Sequence, residues 1–282
     1  MCEEGSAPPM LAPCGQPGVN SLRSFRAMAD PVTYERRGAA AVLTIDRQER
    51  RNAIDGPTAD LLAAAYERFV GDSEARVLVV TGAGDLAFSA GADLKAIESL
   101  GPRLELDDGP LGFTRRISPK PTIAAISGWC LAGGLELALW CDLRIATDTG
   151  RLGFTERRFG VPLIDGGTQR LPRIVGLGRA LDLILTGRIV EAAEAERIGL
   201  VTEVVPAGRH LERALEIAEA LARFPQETML ADRSAALEGI GLPLAEGFRL
   251  EARAALPTLE TAVAGAARFA SGEGRGGAGA GV

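Results

Sequence analysis

The chain has 282 residues, 46% of them hydrophobic and 24% charged, the balance of an ordinary globular protein with ample length for a buried core. Its 31 Lys and Arg against 37 Asp and Glu give a net charge of −6, which argues against a nucleic-acid binder or a protein of acidic membrane surfaces. No run of about 18 uninterrupted apolar residues exists to cross a membrane.

Residues 1–29 are rich in Pro, Gly, Ala and Ser and read as a disordered extension, with Met28 a natural alternative start. They lack the charged start and apolar run of a secretory signal, so a cytoplasmic location is expected. Val32–Arg36 and Ala41–Asp46 predict a hairpin about Gly38. Pro57 to Val70 carries apolar residues at helical spacing, and Arg76–Thr81 reads as a buried strand. Asp93–Leu100 predicts a short helix ended by Gly101-Pro102, followed by a loop over 101–112. Pro121–Ser127 is a strand, and Gly133–Trp140 an almost wholly apolar helix interrupted by Glu136. Leu143–Ala146, Arg151–Phe154 and Val201–Val205 predict strands, and Leu177–Thr186 and Glu191–Ile198 helices. The pattern after Pro206 is helical to about Phe269, and a glycine-rich tail, 271–282, is expected to be disordered. The pattern gives an α/β core over 30–205 and a helical region over 206–270.

Chemistry-bearing residues are few. Cys2, Cys14, Cys130 and Cys141 form no CxxC pair, and with His210 the single histidine no metal site is expected. His210 reads as a surface or capping residue, so a Ser-His-Asp or Cys-His mechanism has no base, and carboxylates remain. Gly82-Ala83-Gly84-Asp85-Leu86-Ala87 follows a strand and matches a dinucleotide fingerprint, but turn-like residues follow where that site needs a helix.

Three other segments stand together: Ala87 to Lys95, Ala125 to Ala138 running into Cys141-Asp142, and Gly153 to Glu156 followed by Gly160 to Leu171. Each follows a strand-like run and offers small residues where backbone can approach a ligand. Gly133-Gly134 opens a helix whose free N–H groups favour negative charge, and Ala90-Gly91 can supply a second donor. Two such donors meeting at one oxygen make an oxyanion hole. Glu136 follows Gly133 by three residues, and its apolar surroundings should raise its pKa unless it pairs with an arginine such as Arg144.

In this order and spacing the segments resemble the enoyl-CoA hydratase/isomerase (crotonase) superfamily, over about residues 32–210. The resemblance implies a spiral of ββα units with a C-terminal helical region used for trimerisation, and assembly as a homotrimer or homohexamer. It implies an acyl-CoA thioester as substrate, with coenzyme A part of that substrate and no further cofactor. Ala90 and Gly133 then take the places of the oxyanion donors, and Glu136 and Glu156 those of the paired glutamates that hold a water. Ala92, Asp93 and Leu94 fall where backbone meets the adenine, and Lys95 and Arg47 where phosphates are held. The chain departs from the family at Asp165, in a usually glycine-rich stretch, and at Arg157-Arg158 after Glu156. Its glycine-rich end leaves Arg268 and Arg275 as the nearby cations there. Asp165 can act as a turn or cap, face the acyl pocket or carry a proton. Enoyl-CoA hydration leads these expectations. Isomerisation, decarboxylation or dehalogenation of an acyl-CoA, and acyl-CoA binding without turnover, are the alternatives.

Overall fold

The computed structural model describes Met1 and residues 30–274, so residues 2–29 of the expected extension and 275–282 of the expected tail lie outside the described residues. Strands β1 (Val32–Arg37) and β2 (Ala40–Ile45) form the expected antiparallel hairpin. Helix α1 (Gly56–Gly71) starts where Asp55 caps it by accepting a hydrogen bond from Thr58 N at 2.9 Å, with Pro57 in the first turn. Strand β3 (Val77–Gly82) then lies parallel to β2.

From there the chain alternates between two sheets. One circuit is β3, β4 (Ala87–Ser89) and a 3-10 helix over Leu94–Arg103. The next is β5 (Thr122–Ile126), β6 (Trp129–Leu131) and α2 (Gly133–Trp140). The third is β7 (Leu143–Thr147), β8 (Arg151–Gly153), a 3-10 turn over Thr155–Phe159, then α3 (Gly167–Val175) and α4 (Leu177–Thr186). Strand β9 (Val190–Glu191), α5 (Ala192–Arg197) and β10 (Glu203–Val205) complete the core. The sheets are ordered β1-β2-β3-β5-β7-β10 and β4-β6-β8-β9, parallel except at β1–β2 and β8–β9. This is the spiral of ββα units that the sequence suggested. The glycine run at 82–87 is the turn from β3 into β4 and opens no helix.

The larger sheet is covered on both sides. Leu43, Leu78, Val80, Ala124 and Ile126 face the main core, while Val42, Val77, Val79, Ile123 and Ala125 face the other way, against Ala214, Ile217 and Ala218 of α6 (His210–Arg223). Alternation puts successive side chains on opposite faces, and covering both faces explains the unbroken Val77-Leu78-Val79-Val80 run. His210 corrects its sequence reading: it begins α6, only 7% exposed, its Nδ1 without a described partner, and burial lowers its pKa.

Helices α7 (Gln226–Glu238), α8 (Leu244–Ala255) and α9 (Leu259–Ser271) bury no residue completely. Their anchor is Arg233, which donates to both Asp142 oxygens at 2.9 Å and to Ser118 O at 2.7 Å. Among the described residues no helix is long and apolar enough to cross a membrane. Arg233→Ala should cost about 2 kcal/mol, the scale of charge-assisted hydrogen bonds. Amide exchange should quicken selectively over 226–271, and uniform protection there would contradict the anchoring role.

Candidate active site

A cavity of about 750 Å³ opens where the segments after β4, β6 and β8 converge. Two of them contribute backbone. After β4, Ala90 N–H donates to Arg51 O at 3.0 Å and Gly91 N–H to Ser89 Oγ at 3.1 Å. Ile54 then pairs around Ala92, donating its N–H to Gly91 O and accepting from Asp93 N, each at 2.8 Å. That leaves the Ala92 amide donating to no described residue. The expectation for Ala90 is therefore corrected. Its N–H is spent on the Arg51 turn, and the free donor is Ala92, which the sequence had assigned to the adenine.

After β6, Ala132 takes φ 53°, ψ −127°, a conformation that costs a non-glycine residue about 1–3 kcal/mol. This bend opens α2, so Gly133 N–H lies in a first turn without an intrahelical acceptor and donates to no described residue. The two turns pack directly together. A Cβ on Gly91, whose φ is +81°, would lie 2.5 Å from Gly133 N, and one on Gly133 would lie 3.6 Å from Ala92 N. Glycine at 91 is what lets the two free amides approach one point.

Glu136 lies one turn into α2, 2% exposed, in the cavity wall. Its Oε1 accepts from Asp165 N at 2.9 Å and Gly167 N at 2.8 Å, at the start of α3. Burial pushes its pKa up to about 7; the Asp165 charge adds to the rise and the two N–H bonds oppose it. Arg144 does not pair with it; that guanidinium donates to Leu200 O and Cys141 O.

Glu156 follows β8 in the 3-10 turn and also lines the cavity. It is 5% exposed, and neither carboxylate oxygen has a hydrogen-bond partner among the described residues. Burial raises its pKa. An acid so placed is costly to a fold unless a ligand or water completes it. The unusual Arg157 and Arg158 tie the turn to α4 and its end, donating to Ile184 O and Gly187 O. Asp165 is a third buried acid in the wall, 3% exposed, its pKa raised by burial.

The rim is cationic and the wall apolar. Asp93, Leu94 and Lys95 line the cavity, together with Arg50 and Arg51, which sequence reasoning missed. Their signal was the dense Arg47–Arg51 run. Lys95, Arg50 and Arg51 are exposed. Arg47 is corrected from a phosphate ligand to a structural residue: it pairs with Asp55 at 2.8 Å and Asp93 at 3.2 Å, donates to Ala53 O and lies outside the cavity lining. Arg268 pairs with Glu273 at 3.4 Å, and Arg275 lies outside the described residues. Leu100, Leu104, Leu111, Val161, Pro162 and Ile164 supply apolar wall.

Comparison with known proteins gives the family. The family model described as enoyl-CoA hydratase/isomerase matches residues 35–270. A probable enoyl-CoA hydratase of Rhizobium meliloti is 40% identical over 230 residues, 79% of this chain and 88% of the relative. A crotonyl-CoA hydratase of Syntrophomonas wolfei is 36% identical over 227 residues, 79% and 87% of the two chains. The crystal structure of enoyl-CoA hydratase EchA1 from Mycobacterium marinum superposes with a TM-score of 0.80 at 33% identity, covering 86% of this chain and 96% of that one. The chain belongs to the enoyl-CoA hydratase/isomerase, or crotonase, family.

Proposed function

We propose that this enzyme adds water across the 2,3 double bond of an enoyl-CoA thioester. The observation that carries the reading is the pairing of two buried carboxylates, Glu136 and Glu156, in one cavity wall beside two unpaired amides. A one-carboxylate isomerase would leave Glu156 as a buried acid without a partner or a task. In the proposed reaction it shares a water with Glu136, whose cavity wall it also lines.

The amides of Ala92 and Gly133 receive the thioester oxygen. As water oxygen bonds to the β carbon, the double-bond electrons move toward that oxygen, and the two N–H groups stabilise the developing enolate. Removing one such donor typically costs about 3–4 kcal/mol. Glu136, its Oε1 fixed by two N–H donors, takes a proton from the attacking water. A pKa of about 7 makes it an effective base near neutrality. Glu156, buried without a donor, carries the proton that is delivered to the α carbon. The two transfers together add one water, and the next water resets the pair.

Coenzyme A enters with the substrate, so the reaction draws on no other cofactor. Exposed Lys95, Arg50 and Arg51 at the rim suit its phosphates, and the apolar wall suits the acyl chain. Glu136→Gln and Glu156→Gln should each lower kcat for crotonyl-CoA hydration by about 10²–10⁴-fold, followed by loss of enoyl absorbance. Undiminished turnover in Glu156→Gln would overturn the two-carboxylate reading.

We also propose assembly as a trimer through the C-terminal helices. Support comes from the apolar side chains they leave in solvent, among them Leu244, Phe248, Leu256, Leu259, Val263 and Phe269. Light scattering at micromolar concentration should give three or six times the chain mass. A monomer mass would contradict it.

A further inference from the structure

Asp165 is joined to three parts of the site at once. Its main-chain N–H donates to Glu136 Oε1 at 2.9 Å. Its carboxylate Oδ1 accepts from Leu111 N at 3.1 Å and from the Thr114 hydroxyl. Its carbonyl oxygen accepts from Arg170 Nη1 at 2.8 Å, and the same guanidinium donates to Thr114 O at 2.5 Å. Leu111 and Pro110 are cavity wall, so the bonds of one residue fix both an acid and the segment facing it. The local backbone is built for this. Gly166 has φ +102°, and a Cβ on Gly167 would lie 3.0 Å from the Glu136 carboxylate.

Resting on the hydratase reading, we propose that Asp165 is the positioning residue of this site. It holds Glu136 through its main chain, anchors the 110–114 wall through its side chain, and keeps a negative charge beside Glu136. Burial raises the Asp165 pKa, and the two donors on Oδ1 with the charges of Arg115 and Arg170 oppose that rise and favour its ionised form. The titratable groups facing Glu136 are Asp165, Glu156 and Arg170. Of these, the two acids hinder loss of its proton and Arg170 assists it. Burial is the first cause of the raised Glu136 pKa, and the Asp165 charge beside it adds to the rise. A base of higher pKa accepts the water proton more readily, so this charge strengthens Glu136 in its task.

Asp165→Asn keeps an acceptor for Leu111 and Thr114 and removes the charge, whereas Asp165→Ala removes both. The readout is the infrared band of the protonated Glu136 carboxyl, identified as the band missing from Glu136→Gln, titrated with pH in the free protein. Asp165→Asn should move its midpoint to lower pH by about one unit and leave amide exchange over 109–116 unchanged. Asp165→Ala should move the midpoint likewise and quicken exchange there. In kinetics, the acid limb of the kcat profile should shift to lower pH by the same amount in Asp165→Asn, with little change in KM. If Asp165→Asn does not fold, Asp165→Ser also removes the charge and should shift the midpoint the same way. An unshifted midpoint in the variants that fold overturns the proposal. The titration needs no substrate, so absent hydration with a shifted midpoint would count against the hydratase reading alone.

Discussion

Two backbone N–H groups with no partner, held side by side, are the constraint around which the rest of the molecule is arranged. Most amides inside a protein find an acceptor, and those of half-buried Ala92 and Gly133 at the cavity have none among the described residues, an arrangement the fold must secure. Several features secure this one. Ile54 brackets Ala92 with hydrogen bonds to its neighbours and leaves its amide out of the pairing. Ala132 bends into an unfavourable conformation to begin α2 at Gly133, and the absent side chain of Gly91 lets the two turns touch. The spiral itself makes the meeting possible. It sets β4 beside β6 in the smaller sheet, so turns at successive strand ends become neighbours in space.

The acids obey a related logic. Glu136 and Glu156 lie where desolvation favours their protonated forms, and neither is neutralised by an arginine, although arginines are near both. Arg144, Arg157 and Arg158 are instead engaged with carbonyl oxygens. Keeping these guanidinium groups occupied elsewhere leaves both carboxyl pKa values raised, Glu136 to about 7, where an ion pair would lower them. Arg50, Arg51 and Lys95 put exposed cationic charge at the rim, where exposure keeps desolvation small.

Much of this was legible in the sequence because local rules carried it. The apolar spacing over Pro57 to Val70 marks α1, and the apolar helix broken by one glutamate names Glu136. The order of the three glycine-bearing segments gave the family and the spiral. Other features depend on contacts that composition does not carry. Strands β4 and β6 have three residues each, too short for a pattern. Helix α3 begins at a double glycine and contains Pro172, so its periodicity is hidden. Ala90 and Ala92 flank the same glycine, and only the acceptor at Arg51 O distinguishes the occupied amide from the free one. Arg47 and Arg51 look alike in the chain. Two aspartates, one of them 38 residues further on than the other, hold the first inside the fold.

The proposed mechanism turns on the amides of Ala92 and Gly133 sharing one thioester oxygen. Its most direct test is a crystal structure with saturated butyryl-CoA, which binds like substrate but has no double bond to hydrate. The thioester oxygen should lie about 2.7–3.1 Å from both nitrogens, with the ligand's α and β carbons beside Glu136 and Glu156. An oxygen bonded to neither amide, or to Ala90 N after release from Arg51, would contradict it.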